Sequence, residues 1–190
     1  MNSISIWQID MLPWYAFIVY WLITAFRVKP TKSTEPVATR LFTLSMMVLA
    51  FMLMFSRWAP FPWLRWRVTA PNPGITWAGV VLTYIGAAIA IWARTVLGSN
   101  WSARVTVKEG HELTRTGPYA YVRHPIYTGL LFSMLGTALV IGEWRGFAAV
   151  VLITLAHALK AKREEEAMIG EFGEQYQQYR STTGFLLPRL

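Results

Sequence analysis

The sequence predicts an all-α integral membrane protein of five transmembrane helices, the last two forming a tight hairpin, followed by an amphipathic cytoplasmic helix. Three observations predict it. Of 190 residues, 54% are hydrophobic and only 15% charged, where a soluble domain carries about 25% charged residues. The apolar residues are gathered into long blocks instead of periodic faces, and short connections with flanking basic residues join the blocks. A net charge of +8 would raise nucleic acid as a partner in a soluble protein. Beside membrane spans such an excess is expected, so the partner predicted here is the lipid bilayer and not nucleic acid. The chain has no cysteine, which excludes disulfides, thiolate metal sites and a cysteine nucleophile. The length leaves no room for a second large domain, so 1–190 reads as one membrane domain whose chemistry must use spans and loops.

Roughly 17–25 apolar residues cross the hydrocarbon core as a helix. The first span runs from about Leu12 to Phe26, extended backward by Ile4, Ile6, Trp7 and Ile9. It lacks a basic n-region and carries bulky Trp and Tyr, which argues for a retained helix against a cleaved signal peptide. The second span covers Leu41 to Ala59 and the third Ile75 to Leu97, with Arg94 near its end; spans one to three thus occupy 1–97. The fourth, Pro125 to Ile141, and the fifth, Trp144 to Leu159, are separated only by Gly142 and Glu143, so 125–160 must be a helical hairpin. Its arms, Pro125 to Ile141 and Trp144 to Lys160, are seventeen residues each and rise about 25 Å. Arg123 and His124 are thereby brought beside Lys160 to Glu165. Small residues at four-residue spacing predict packing seams: Gly129, Ser133 and Thr137 on span four, with Gly79, Thr83 and Ala87, and Gly86 and Ala90, on span three. Thirteen Lys and Arg fall in the loops after spans one and three and in the tail, against four on the other side. The excess places the amino terminus outside and the carboxyl terminus in the cytoplasm.

Residues 98–124 read as a structured cytoplasmic loop. Flexible linkers are bland and rich in Ser and Gly, whereas this loop interleaves Trp101, Tyr119 and Tyr121 with His111, Arg115, Arg123 and His124. Gly110 and Gly117 permit turns, and Pro118 and Pro125 suit the first positions of helices, whose amide ends favour an anionic or carboxylate-bearing ligand. Residues 161–190 read as a helix leaving the membrane and a tail, because Ile169, Phe172, Tyr176 and Tyr179 recur at intervals of three and four. Extended backward, that stripe takes in Glu165, with Glu164 at its border, and leaves Glu166 on the far side. Glu164 and Glu165 are therefore expected to face packed structure near His124, and Glu166 to face solvent. His157, Lys160 and Glu164 share one helical face. An ionisable residue inside a span is a functional candidate, although His157 could equally serve as glue between helices.

The run His111-Glu-Leu, Gly117-Pro-Tyr119, Arg123-His124-Pro125-Ile-Tyr127, Gly129, Glu164-Glu165, and Phe172-Gly173 with Tyr176 and Tyr179 resembles the isoprenylcysteine carboxyl methyltransferase family of integral membrane enzymes, with its phospholipid methyltransferase relatives. The resemblance covers about Asn100 to the C-terminus; spans one to three agree only in number and hydrophobicity. It implies an S-adenosyl-L-methionine site built from the loop before the hairpin and the helix after it, covered from the cytoplasm and open laterally to lipid. The implied cofactor pocket comprises His111, Glu112, Leu113, Thr114, Tyr119, His124, Pro125, Ile126, Tyr127 and Glu164. Arg123, His124 and Glu165 are implied as catalytic or supporting groups, and Lys160 and His157 as substrate-facing. The family often has arginine where this chain has Lys160, to hold a substrate carboxylate; lysine keeps the charge and loses the bidentate fork. The implied reaction is methyl transfer to a lipophilic membrane substrate, a carboxylate of isoprenylcysteine type first and a phospholipid headgroup amine second.

The residue types stand beside that resemblance. A sulfonium with an ammonium and a carboxylate needs anions, aromatic faces and donors, which Glu164, the tyrosines and His111 supply. No GxGxxG follows a predicted strand, so a soluble dinucleotide-type site is not expected. A carboxylate acceptor is already ionised near neutral pH; an amine would need a base, for which His124 or Glu165 are the candidates. Two other classes stay open. A membrane sterol reductase using NADPH would favour Asn at the position of Ile126, and a non-enzymatic membrane subunit would bind no cofactor. The histidine spacing predicts no metal site, and the one aspartate, Asp10, lies at the opposite end from any Ser-His pair.

Overall fold

A computed structural model describes residues 5–25, 36–56, 59–98 and 113–189. Ile4, Trp101, Gly110, His111, Glu112 and the loop cations Arg27, Lys29, Lys32, Arg57, Arg104 and Lys108 lie outside them. Among the described residues there are six α-helices and no β-strand: α1 (Ile6–Ala25), α2 (Val37–Phe55), α3 (Pro73–Leu97), α4 (Pro125–Ile141), α5 (Trp144–Phe172) and α6 (Glu174–Thr182). Helices α1, α2, α3 and α5 are long and apolar enough to cross a membrane, and α4 is a shorter apolar helix of 17 residues. Leu22, Leu41, Val81 and Val151, one on each long helix, present large apolar side chains outward. In water such faces would drive association, whereas in a bilayer they are the lipid-facing surface of a bundle. The protein is an integral membrane protein.

Helix ends follow local chemistry. Pro73 takes the first position of α3, and the Asn72 side-chain oxygen accepts from the amides of Gly74 (2.8 Å) and Ile75 (3.2 Å), so α3 starts two residues before the apolar run does. The second span was expected at Leu41 to Ala59, but α2 lies four residues earlier, directly after Pro36. Its first turn, Val37 to Arg40, is not greasy enough to be read as membrane. Its far end is finished by Arg145, whose Nη1 donates to the carbonyls of Leu53 (3.0 Å), Met54 (3.0 Å) and Ser56 (2.7 Å) while Nε pairs with Glu143 at 2.6 Å. One guanidinium thus satisfies carbonyls that a helix terminus leaves orphaned.

Gly142 stops α4 in the left-handed region (φ 65°, ψ 18°), a conformation glycine adopts without steric cost. Glu143 then caps α5, so the two helices are joined through these two residues. The turn is braced by the connection after α2, with Val68 N donating to Gly142 O (2.8 Å) and Trp144 N to Trp66 O (3.1 Å). Helix α5 runs on to Phe172, past the expected membrane limit at Leu159. The helix expected to continue through Tyr176 and Tyr179 is instead broken: Gly173 has φ 50° and ends α5, and α6 restarts after it. The apolar phase survives the break, with Tyr176 and Tyr179 buried.

The bundle is organised around antiparallel α3 and α4, in closest contact where glycine faces glycine. A Cβ placed on Gly129 would lie 2.5 Å from the Gly86 carbonyl oxygen, and one on Gly136 2.5 Å from that of Gly79. Such proximity lets two backbones approach in lipid. Between these crossings Ser133 Oγ donates to Thr83 O (3.1 Å), and, just past the second, Thr137 Oγ1 donates to the buried Asp10 Oδ2 of α1 (2.9 Å) while accepting from Trp14 Nε1 (2.9 Å). Helix α1 is thereby tied to the seam. One apolar cluster, including Trp14, Met54, Met134 and Ile153, fills the end near the Gly142 turn; a second, of Ala93, Tyr119 and Ile126 with Trp21 and Leu130 against it, forms a floor at the other end.

Candidate active site

Above that floor the entry of α4 meets the exit of α5. Pro125 occupies the first position of α4, which sets Arg123 and His124 at its mouth, and the 3-10 turn Gly117–Ala120 packs in front through buried Tyr119. Glu165 is buried and Glu166 exposed, the asymmetry the helical stripe predicts. Arg123 Nε donates to Glu165 Oε1 at 2.6 Å, and His124 Nε2 lies 3.3 Å from the same oxygen. His124 Nδ1 faces Glu164 Oε2 at 3.5 Å. Tyr127 Oη donates to Glu164 Oε1 at 2.6 Å, and Lys160 Nζ stands 3.8 Å from that oxygen and 5.8 Å from the centre of the Tyr127 ring. Three rings line up beside the carboxylates: His124 lies parallel to Tyr127 at 5.6 Å, and Tyr127 stacks on His157 at 4.6 Å. His157 is buried, and its Nδ1 has no hydrogen-bond partner among the described residues.

The structure thus gathers Arg123, His124, Tyr127, His157, Lys160, Glu164 and Glu165 into one cluster, with Tyr119, Pro125 and Ile126 buried beneath. Leu113 and Thr114 are half-buried in the irregular segment leading to the 3-10 turn, and His111 and Glu112 fall outside the described residues. The sequence reading missed Arg180, whose Nε lies 3.6 Å from Glu165 Oε2, and Tyr179 as a bracket, its Oη donating to Tyr119 O at 2.6 Å. Arg180 sits one turn beyond Tyr176, so the stripe itself could have pointed to it. Arg94, read only as a span-end cation, is buried with its guanidinium on the carbonyls of Gly98 (2.6 Å) and Thr24 (3.1 Å), joining the ends of α3 and α1 beside the site.

Burial acts against the charged form of His124, but hydrogen bonds to Glu164 and Glu165 and their negative charge outweigh it and hold its pKa above the ordinary histidine value. Tyr119 and Tyr176 are pushed up mainly by burial, and Tyr179 up to about 12 for the same reason, so all three stay neutral. A folded-state pKa raised above that of the unfolded chain means that the His124 contribution to stability is complete below the ordinary value of 6.5 and is lost as pH rises through the higher folded value. The melting temperature of the detergent-solubilised protein is therefore expected to fall as pH is raised from 6.5, and His124→Gln to flatten that fall. Parallel curves for the two proteins would refute the assignment.

Residues 75–175 match the family model described as phospholipid methyltransferase, a segment that runs from α3 through both carboxylates of α5. The chain belongs to the phospholipid methyltransferase family. Its cluster at the α4–α5 mouth lies wholly within the matched residues except for Arg180 and the tail. Among curated proteins this family member is 28% identical over 147 residues to methanethiol S-methyltransferase 1 of Bradyrhizobium diazoefficiens, covering 74% of this chain and 51% of that one. It is 35% identical over 89 residues to protein-S-isoprenylcysteine O-methyltransferase of Schizosaccharomyces pombe (44% of this chain, 36% of that one). With the enzyme of that name from Rattus norvegicus it shares 30% over 121 residues (60% and 42%). The chain spans about half the length of the curated relatives it matches.

Proposed function

We propose that the protein is an S-adenosyl-L-methionine-dependent methyltransferase acting on a lipophilic acceptor presented from the bilayer, with a carboxylate of isoprenylcysteine type as the leading substrate class. The observation that carries the reading is Glu164, a carboxylate with Tyr127, His124 and Lys160 around it, beside a stack of three rings. When bound, S-adenosyl-L-methionine supplies an electrophilic methyl group on a sulfonium, with an ammonium and a carboxylate at its other end. The residues present fit such a molecule: an anion for its positive charge, aromatic faces for a cation or a base, and the Nδ1 of buried His157, without a hydrogen-bond partner among the described residues, as a polar contact.

Each side chain then has a task. Glu164 offers negative charge on the buried side, and Tyr127 fixes one of its oxygens. Glu165 holds Arg123 and His124 in register. Lys160 carries positive charge at the mouth of the cluster, suited to an acceptor carboxylate. The two glutamates favour the protonated form of His124 and Glu165 is already engaged by Arg123, so neither is well placed to take a proton from the acceptor. That favours an acceptor already ionised, for which orientation and exclusion of water suffice. A small lipophilic thiol is the second reading, raised by matches to proteins named methanethiol S-methyltransferase over 74% and 76% of this chain; it ranks second because a thiol must lose its proton to solvent before or during transfer.

In this reading all five apolar helices cross the bilayer, α4 and α5 as a hairpin, with the amino terminus outside and the site at the cytoplasmic face, where the Lys and Arg excess would lie. Calorimetry on the detergent-purified protein tests the function. Binding of S-adenosylhomocysteine and none of NADPH is expected. NADPH binding without S-adenosylhomocysteine binding would replace methyl transfer with reduction, and binding of neither would remove the enzymatic reading.

A further inference from the structure

The segment that follows α6 turns back across the site, although the family match ends at residue 175. Gly184 bridges Val122 in parallel, donating to Tyr121 O (3.0 Å) and accepting from Arg123 N (2.9 Å). Thr128 Oγ1 of α4 donates to Leu186 O at 2.5 Å. Arg123 Nη1 donates to the carbonyls of Arg180 (3.1 Å) and Thr183. These contacts fix Phe185 against the site from outside: its ring stands edge-on to His124 at 5.3 Å and 75°, with the Arg123 guanidinium carbon 5.8 Å from its centre.

The His124 ring is accordingly held by four neighbours. Glu165 and Glu164 face its two nitrogens, Tyr127 lies parallel to it, and the Phe185 ring stands edge-on against it. A ring that swung sideways would lose at least one of these contacts, because each nitrogen faces a different glutamate. We infer that Phe185 is a positioning residue: by seating the His124 ring it keeps Glu164 and Glu165 in the arrangement that the cofactor site requires. This rests on the methyltransferase reading for its functional consequence but not for its geometry, and the test separates the two.

Phe185→Ala, Phe185→Leu and Phe185→Tyr are compared with wild type by S-adenosylhomocysteine calorimetry and by nitrogen-15 histidine NMR, with the His124 resonance assigned through His124→Gln. Phe185→Ala is expected to weaken binding about tenfold, the scale of a well-placed aromatic pair, and to move the His124 resonance while the other histidine signals stay in place. Phe185→Tyr is expected to restore both. Phe185→Leu keeps apolar volume without the edge of a ring, so it is expected to fold and still move the resonance, which covers the case in which alanine unfolds the tail. An unchanged His124 resonance and wild-type affinity in Phe185→Leu would overturn the inference. A resonance that moves in a protein that never binds S-adenosylhomocysteine would uphold the positioning role and overturn only the cofactor reading.

Discussion

Exchange of Glu164 for glutamine is expected to lower S-adenosylhomocysteine affinity on the order of 10- to 100-fold, the scale of a hydrogen bond to a charged group, with a parallel loss of methyl transfer. Glutamine keeps the shape and can still accept from Tyr127 Oη, which the carboxylate does at 2.6 Å. What it removes is charge. His124 would keep Glu165 but lose the second carboxylate, the charge 3.8 Å from Lys160 Nζ would be gone, and a bound cation would meet a cluster richer in positive charge. Glu166→Gln changes an exposed neighbour on the same turn and is expected to leave binding unaltered. Calorimetry of the two variants side by side, with melting temperature as the folding control, decides the matter. Equal affinities for wild type and Glu164→Gln would detach the carboxylate from the cofactor and leave it a structural ion pair.

The contrast between neighbouring glutamates was legible because it depends only on helical phase, and phase is a property of sequence. The two-residue join between α4 and α5 was legible for a similar reason: only Gly142 and Glu143 separate the two apolar runs. Helix ends were less so. The apolar run does not mark where α2 begins, since Pro36 fixes that, or where it stops, since the carbonyls there are held by Arg145 from 89 residues or more along the chain. Gly173 shows the opposite failure, because the apolar period runs straight through a residue whose backbone leaves the helix. Partners distant in sequence were not legible at all. Asp10 and Thr137 are 127 residues apart, and neither periodicity nor composition pairs them. Phe185 carries no local signal, since it acquires a role only when Gly184 docks beside Val122. The candidate site was therefore readable to the extent that its residues lie on one helix or on two joined by a short turn, and unreadable where the tail folds back upon it.

Gly129→Ala is expected to be among the most damaging single methyl groups that can be added to the bundle, with Gly86 and Gly136 at the same seam. A Cβ there would lie 2.5 Å from Gly86 O and 2.6 Å from Ala90 N, both backbone atoms, so no side chain can rotate away and the helices themselves must part. Overpacking where side chains can adjust costs about 1–3 kcal/mol; with backbone on both sides the upper end or beyond is expected. The displacement also has a direction. Gly129 lies two residues after Tyr127, so parting the seam shifts the ring that fixes Glu164, and S-adenosylhomocysteine binding should weaken along with stability. Gly170→Ala supplies the contrast: it sits within α5 with nothing within 4 Å of an added Cβ, and is expected to be neutral or to stabilise by about 0.5–1 kcal/mol through helix propensity. The double variant Gly86→Ala, Gly129→Ala should cost clearly less than the sum of its parts, because one methyl already opens the crossing that the other needs. Thermal unfolding of wild type, Gly86→Ala, Gly129→Ala, Gly170→Ala and the double variant in one detergent reads all of this. A Gly129→Ala protein that melts with wild type would mean that the helices are not in backbone contact at this crossing, and the α3–α4 seam would no longer explain how α4 is held with Tyr127 facing Glu164.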